Sequence, residues 1–168
     1  MMTGKIATMQ ACLWFDDQAE EAAKFYTSIF KDSQIKRTQY YTNSGQEVHG
    51  KPPYSVLTVE FSLNGMEFMA LNGGPEFKFS EAVSFVVNCD SQDEIDHYWE
   101  KLGEGGDKTA QVCGWLKDRY GVSWQISPSE LPDWIDDPHS EAAKRVMDAL
   151  MKMGKLDIAT LHSAYLGE

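Results

Sequence analysis

The sequence predicts an α+β fold built from paired β-α-β-β-β modules and closed by a helical tail. Three observations predict it. A short apolar strand followed by an amphipathic helical stripe occurs twice, with Asp17 matching Asp90 and Phe25-Tyr26 matching Tyr98-Trp99. Each half ends in a hairpin, and Gly65 matches Gly121 as Phe68 matches Trp124. The second match has a shorter offset, and the extra chain of the first half is expected in a polar loop. After Pro128 the period of two stops and helical stripes replace it. Neither half has enough chain to cover both faces of its own sheet. Two sheets curling into one cupped barrel, with helices outside, would solve that problem. The paired modules are placed at residues 1–128, with module one at about 5–72 and module two at about 80–128. The tail is residues 129–168.

The elements follow in order. Ile6–Phe15 is apolar and short enough for a buried strand. Asp17 and Glu20 have a capping-box spacing, and Ala19, Ala22, Ala23, Tyr26, Ile29 and Phe30 form the inner stripe of a helix. Ile35–Thr42 reads as a strand, and Asn43–Pro53 as a polar loop and possible lid. Tyr54–Leu63 alternates, Asn64-Gly65 is a two-residue turn, and Met66–Leu71 returns. Ala82–Cys89 begins the second module. Ser91 and Glu94 repeat the capping spacing, and Ile95, Tyr98, Trp99 and Leu102 repeat the stripe. Gly103–Gly106 stops that helix. Trp115 and Leu116 enter a turn at Asp118–Gly121, and Val122, Trp124 and Ile126 leave it. In the tail, Asp137-Pro138 reads as a helix start. Ala142, Val146, Ala149, Leu150 and Met153 form one stripe, and Leu156–Tyr165 is a second short helix.

The bulk numbers narrow the function. A net charge of −11 over 168 residues argues against nucleic acid and anionic membranes as partners. No segment approaches a membrane span, and nothing resembles a signal peptide. Cys12, Cys89 and Cys113 are odd in number and form no CxxC pair, which suits reduced thiols in a cytoplasm.

Three stretches carry a family likeness: LWFDDQAEEAAKFY (Leu13–Tyr26), MEFMALNGGPEFKFSEAVSFVV (Met66–Val87) and CGWLKDRYGVSWQISP (Cys113–Pro128). With MKMGKLDIATL in the tail, they make the chain resemble the PhnB-like group, often labelled demethylubiquinone methyltransferase-like. That group lies within the glyoxalase/bleomycin-resistance/dioxygenase (vicinal oxygen chelate) superfamily. The resemblance implies paired β-α-β-β-β modules and a homodimer.

It also implies where a metal would sit. Metal-using members of the superfamily place a Glu four residues after the Gly that turns into a module's last strand. Here that position is Gln125, and in the first half Met69. A His early in the first strand is replaced by Gln10, with Ala82–Ser84 in the second half. A hard cation needs several oxygens or imidazoles, so this set predicts no retained metal centre and no cofactor. His49, His97, His139 and His162 are scattered. Glu60 and Glu67 lie on strands, either as inward general bases or on the solvent side. Cys12 and Cys113 read as nucleophiles or as small apolar residues. A methyl-donor site would need a strand, a Gly-rich turn and a helix, whereas Gly103–Asp107 follows a helix. What remains is a cup. Gln10, Cys12, Trp14, Met69, Phe85, Trp115 and Gln125 are its expected lining, suited to a small hydrophobic or aromatic ligand. The alternatives are metal-dependent lyase or dioxygenase chemistry and, last, the labelled methyl transfer. Whether the chain catalyses anything stays open at this point.

Overall fold

The computed structural model describes residues 8–168, so Ile6 and Ala7 of the expected first strand lie outside the described residues. The chain divides into two compact units, one up to Lys78 and one from Phe79 onward. Both are α+β, with sheets of the expected module type and helices following the second.

The first unit runs β1 (Ala11–Phe15), α1 (Ala19–Ile29), β2 (Ser33–Tyr40), α2 (Gln46–His49), β3 (Val56–Leu63) and β4 (Met66–Asn72). Its sheet has the order β1-β4-β3-β2, with β1 parallel to β4 and the other pairs antiparallel. Ala19, Ala22, Ala23 and Tyr26 are completely buried, as are Val59, Phe61 and Ala70 on the sheet. The small alanines let α1 lie close, and Tyr26 stacks on Phe61, which stacks on Phe68, at 6.2 and 5.3 Å between ring centroids. Burying such a ring contributes about 2–3 kcal/mol. Ring geometry adds about 1 kcal/mol, so apolar burial holds α1 in place.

Asp17 does not cap α1 as its spacing with Glu20 suggests. The N-cap position is Gln18, which makes no side-chain cap bond. The buried Asn72 Oδ1 accepts from Ala19 N at 2.8 Å instead, while its Nδ2 donates to Val56 O at 3.1 Å. The end of β4 therefore supplies the cap. At the hairpin, Asn64 (φ 45°) and Gly65 (φ 83°) both take the positive φ of a type I′ turn. The expected polar loop contains α2 and is tied down. Tyr41 donates to Asn72 O at 2.6 Å, His49 stacks on Tyr41 at 4.4 Å, and Lys51 Nζ donates to Asp16 O at 2.6 Å.

The second unit runs β5 (Ser84–Cys89), α3 (Gln92–Gly103), a 3-10 turn (Lys108–Ala110), β6 (Trp115–Lys117), β7 (Ser123–Pro128), α4 (Leu131–Trp134), α5 (Glu141–Leu150) and α6 (Ile158–Leu166). The sheet order is β5-β7-β6, with β5 parallel to β7. Among the described residues this sheet has three strands. The 3-10 turn and a single Val112–Trp115 bridge stand where the first unit has β2. The length difference between the halves thus reflects a reduced second strand as well as the polar loop.

Ser91 does cap its helix. Its Oγ accepts from Glu94 N at 3.3 Å, while Glu94 Oε2 accepts from Asp90 N at 2.9 Å. Gly106 is required for close approach, since a Cβ there would stand 2.0 Å from the Lys117 carbonyl oxygen. The tail helix α5 starts later than Asp137-Pro138 suggests. Asp137 Oδ1 is taken by His139 N, and Ser140 caps the helix through Ala143 N. The tail has its own core of Trp134, Val146, Leu150, Leu156 and Leu161. It clasps the strand region by backbone bonds, Cys113 N to Met153 O and Gly114 N to Gly154 O, both 2.8 Å. Among the described residues, no helix is long and apolar enough to cross a membrane.

Candidate functional site

Parallel register decides which side chains share a face. In the first unit Cys12 pairs with Met69 and Trp14 with Leu71. Their neighbours Leu13, Phe15, Phe68 and Ala70 are buried on the face toward α1. Cys12, Trp14 and Met69 therefore stand together on the other face. Gln10 lies one residue before β1 and is exposed. The Trp14 ring sits on Gly73, where a Cβ would be 2.1 Å away, and meets Phe77 edge-on at 4.9 Å. Its indole N–H donates to Gly74 O at 2.9 Å. Cys12 is exposed on this face, and the partial desolvation of its thiol pushes it up from its ordinary value. Glu60 is paired with Arg37 at 2.6 Å and Glu67 with Lys36 at 2.5 Å. Both carboxylates are engaged as ion pairs rather than held as general bases. A groove of about 380 Å³ lined by Lys31, Gln34, Lys36, Ser62 and Glu67 is polar and does not match an apolar ligand.

In the second unit Trp115 and Gln125 are register partners on one face. Phe85 is not with them. It pairs with Trp124, 5.4 Å between rings, on the face that carries buried Leu116 and Ile126. Matching Cys12 to Phe85 by the first helices and Met69 to Gln125 by the turns sets Phe85 opposite Gln125. The observed β5–β7 register is one residue different from β1–β4, and one residue changes the face. The same slip brings Ser84 to the Gln125 face, where Gln125 Nε2 donates to Ser84 Oγ at 2.9 Å. Beside them, Ser123 is 1 % exposed, and its Oγ has no hydrogen-bond partner among the described residues. Leaving a buried hydroxyl unpaired costs about 1–3 kcal/mol. Lys117, the other register partner of Ser123, is ion-paired to Glu81, whose carboxyl it holds below the usual range by hydrogen bonding. Ser84 falls within the Ala82–Ser84 stretch that the sequence set at the first-strand ligand position, whereas Ser123 is a site that sequence reasoning did not single out. Only the strand register, a long-range property, reveals it.

A metal does not fit this donor set. An amide and two hydroxyls are weak ligands for a catalytic cation. Among the described residues no group of three His, Cys, Asp or Glu could hold one. Two of the histidines pack against rings, His97 on Tyr98 and His162 on Trp134. The Gly103–Asp107 stretch is not built as a methyl-donor cradle. Gly103 ends α3, and the glycines after it serve that helix end and the approach to Lys117.

A family model described as 3-demethylubiquinone-9 3-methyltransferase matches residues 7–127. The chain belongs to that family. It is similar to the PhnB protein from Bacillus cereus, with 34% identity over 71% of this chain and 98% of that one and a TM-score of 0.61. Protein PA1353 from Pseudomonas aeruginosa has 19% identity over 73% of this chain and 98% of that one, with a TM-score of 0.56. A glyoxylase/bleomycin resistance protein/dioxygenase domain from Frankia sp. is 16% identical, covering 73% and 91%, with a TM-score of 0.42. No curated protein matches the chain. This PhnB-like member carries an amide, Gln125, where the resemblance leads a metal-binding carboxylate to be expected.

Proposed function

We propose that this PhnB-like protein binds a small, largely apolar or aromatic molecule against the open face of its second sheet. The supporting observation is half-buried Trp115 beside the uncharged Gln125–Ser84 pair, at the position where the superfamily's metal ligand is expected. An aromatic wall with a few placed polar groups suits such a ligand. Cys12, Trp14 and Met69 share their face of the first sheet with the Glu60–Arg37 ion pair, so that face is more polar and suits such a ligand less. The test is a titration with toluene and p-cresol, followed through the Trp115 indole signal in ¹H–¹⁵N spectra, with Trp115→Phe as the assignment control. Saturable shifts at millimolar or lower concentration are expected, and a Trp115 signal that never moves sinks the reading.

The family description favours one alternative, methyl transfer. Calorimetry with S-adenosylmethionine tests it, and binding in the micromolar range would displace the ligand-carrier reading. Metal-dependent lyase or dioxygenase chemistry would require a stoichiometric metal after chelator-free purification. A homodimer in the cytoplasm completes the proposal, and a monomer mass by analytical ultracentrifugation at micromolar concentration would overturn the dimer.

A further inference from the structure

We infer that the Ser84–Ser123–Gln125 cluster recognises an uncharged carbonyl or hydroxyl oxygen at one end of an otherwise apolar ligand. This rests on the reading that the Trp115 face binds such a molecule. Ser84 and Ser123 are register partners on the neighbouring parallel strands β5 and β7. Neighbouring strands lie about 4.8 Å apart, so the two hydroxyls can both reach one oxygen once a ligand displaces the side chains that seal Ser123 Oγ from solvent. Ser84 Oγ accepts from Gln125 Nε2, so its own hydrogen is left to donate elsewhere. Ser123 Oγ is buried and unpartnered among the described residues, and no neighbour supplies what it lacks. A carbonyl oxygen has two lone pairs and can take both hydroxyl hydrogens, while a ligand hydroxyl can in addition donate to Gln125 Oε1.

The cluster carries no net charge. Gln125 is an amide where a carboxylate is expected, and the nearest cation on the face, Lys117, is neutralised by Glu81. An anionic head group would therefore find hydroxyls without a free positive charge. A purely apolar ligand would leave Ser123 Oγ unpaired, as it is in the free chain, and so would forgo the hydrogen bonds that an oxygen gains.

The experiment compares acetophenone, ethylbenzene and benzoate, which share a ring and differ in the polar end. Affinities are read from the Trp115 indole signal in the wild-type chain and in Ser84→Ala/Ser123→Ala. Acetophenone is expected to bind about tenfold more tightly than ethylbenzene, and the double variant is expected to erase that difference while still binding ethylbenzene. Equal affinities for acetophenone and ethylbenzene in the wild-type chain would overturn the inference and leave the proposed function standing. Tighter binding of benzoate would overturn it in favour of an anion site. If none of the three moves the Trp115 signal, the proposed function itself falls, and the inference with it.

Discussion

Asp118 is only 2 % exposed, yet it accepts from Tyr120 N, Val122 N and the Trp124 indole at 2.9 to 3.0 Å. Its carboxylate closes the β6–β7 turn and fixes the largest ring on β7. Asp118→Ala strands two backbone N–H groups and an indole, and is expected to cost about 3 kcal/mol. Asp118→Asn keeps one acceptor and should cost less. Urea denaturation followed by tryptophan fluorescence measures both. The turn itself was legible, because Asp118–Gly121 between alternating runs needs few alternatives. The bond from Asp118 to Trp124 was not, since it depends on which face Trp124 takes. Phe85 fails for the same reason. Its residue type suits a pocket wall, but its face depends on a pairing that local sequence does not fix. Cys89 illustrates the opposite case. Burial, with Glu94 and Asp90 nearby, pushes its thiol up to about 12, in line with the small apolar role that residue type alone suggests.

At the scale of elements, caps reveal how far local patterns reach. Ser91 caps α3 as its spacing with Glu94 implies, because donor and acceptor lie within one turn. The equivalent Asp17–Glu20 pattern is bypassed, because Asn72 arrives from β4 and occupies the first N–H of α1. Asn72→Ala is expected to lower stability by about 1–2 kcal/mol through the lost cap. Asn72→Asp should lose less, since it keeps the acceptor and places negative charge at a helix N-terminus. Thermal unfolding by circular dichroism distinguishes the two, and equal losses would assign the effect to the Nδ2 bond to Val56 instead. The reduced second strand of the second unit was not legible either. A run of turns and a weak strand have similar composition between Gly103 and Cys113.

At the scale of the molecule, the tail is tied to the second unit by charge as well as by its own core. Asp96 is held below the usual carboxyl range by hydrogen bonds from Lys155 and then Gln92, and Asp157 by its capping bonds to Thr160. With both values depressed in the folded chain, the unfolded chain takes up protons first as pH falls. Their stabilisation is therefore full above the unfolded carboxyl value, about 3.9, and is lost as pH falls through the lower folded values. The melting temperature is expected to fall more steeply below about pH 4 in the wild type than in Asp96→Asn/Asp157→Asn. Parallel acid profiles would remove the tail carboxylates from the account. The stripes of α5 and the last helix were readable in Val146, Leu150 and Leu161, although Ala143 rather than Ala142 is buried and Met153 lies past the end of α5. Their attachment was not, because the clasp to Cys113 and Gly114 uses backbone atoms common to every residue.

The outer strands have a consequence for assembly. β2 carries Lys36 and Arg37, and its register with β3 is interrupted between Ile35 and Arg37 and again between Gln39 and Tyr40. β6 has only three residues. Cations, bulges and short length all discourage a foreign strand from adding to a sheet edge and so protect against aggregation. A second copy of this chain would accordingly be met by side-chain surfaces rather than by continuation of either sheet through β2 or β6. Fibril-like stacking along those edges is blocked by the same features.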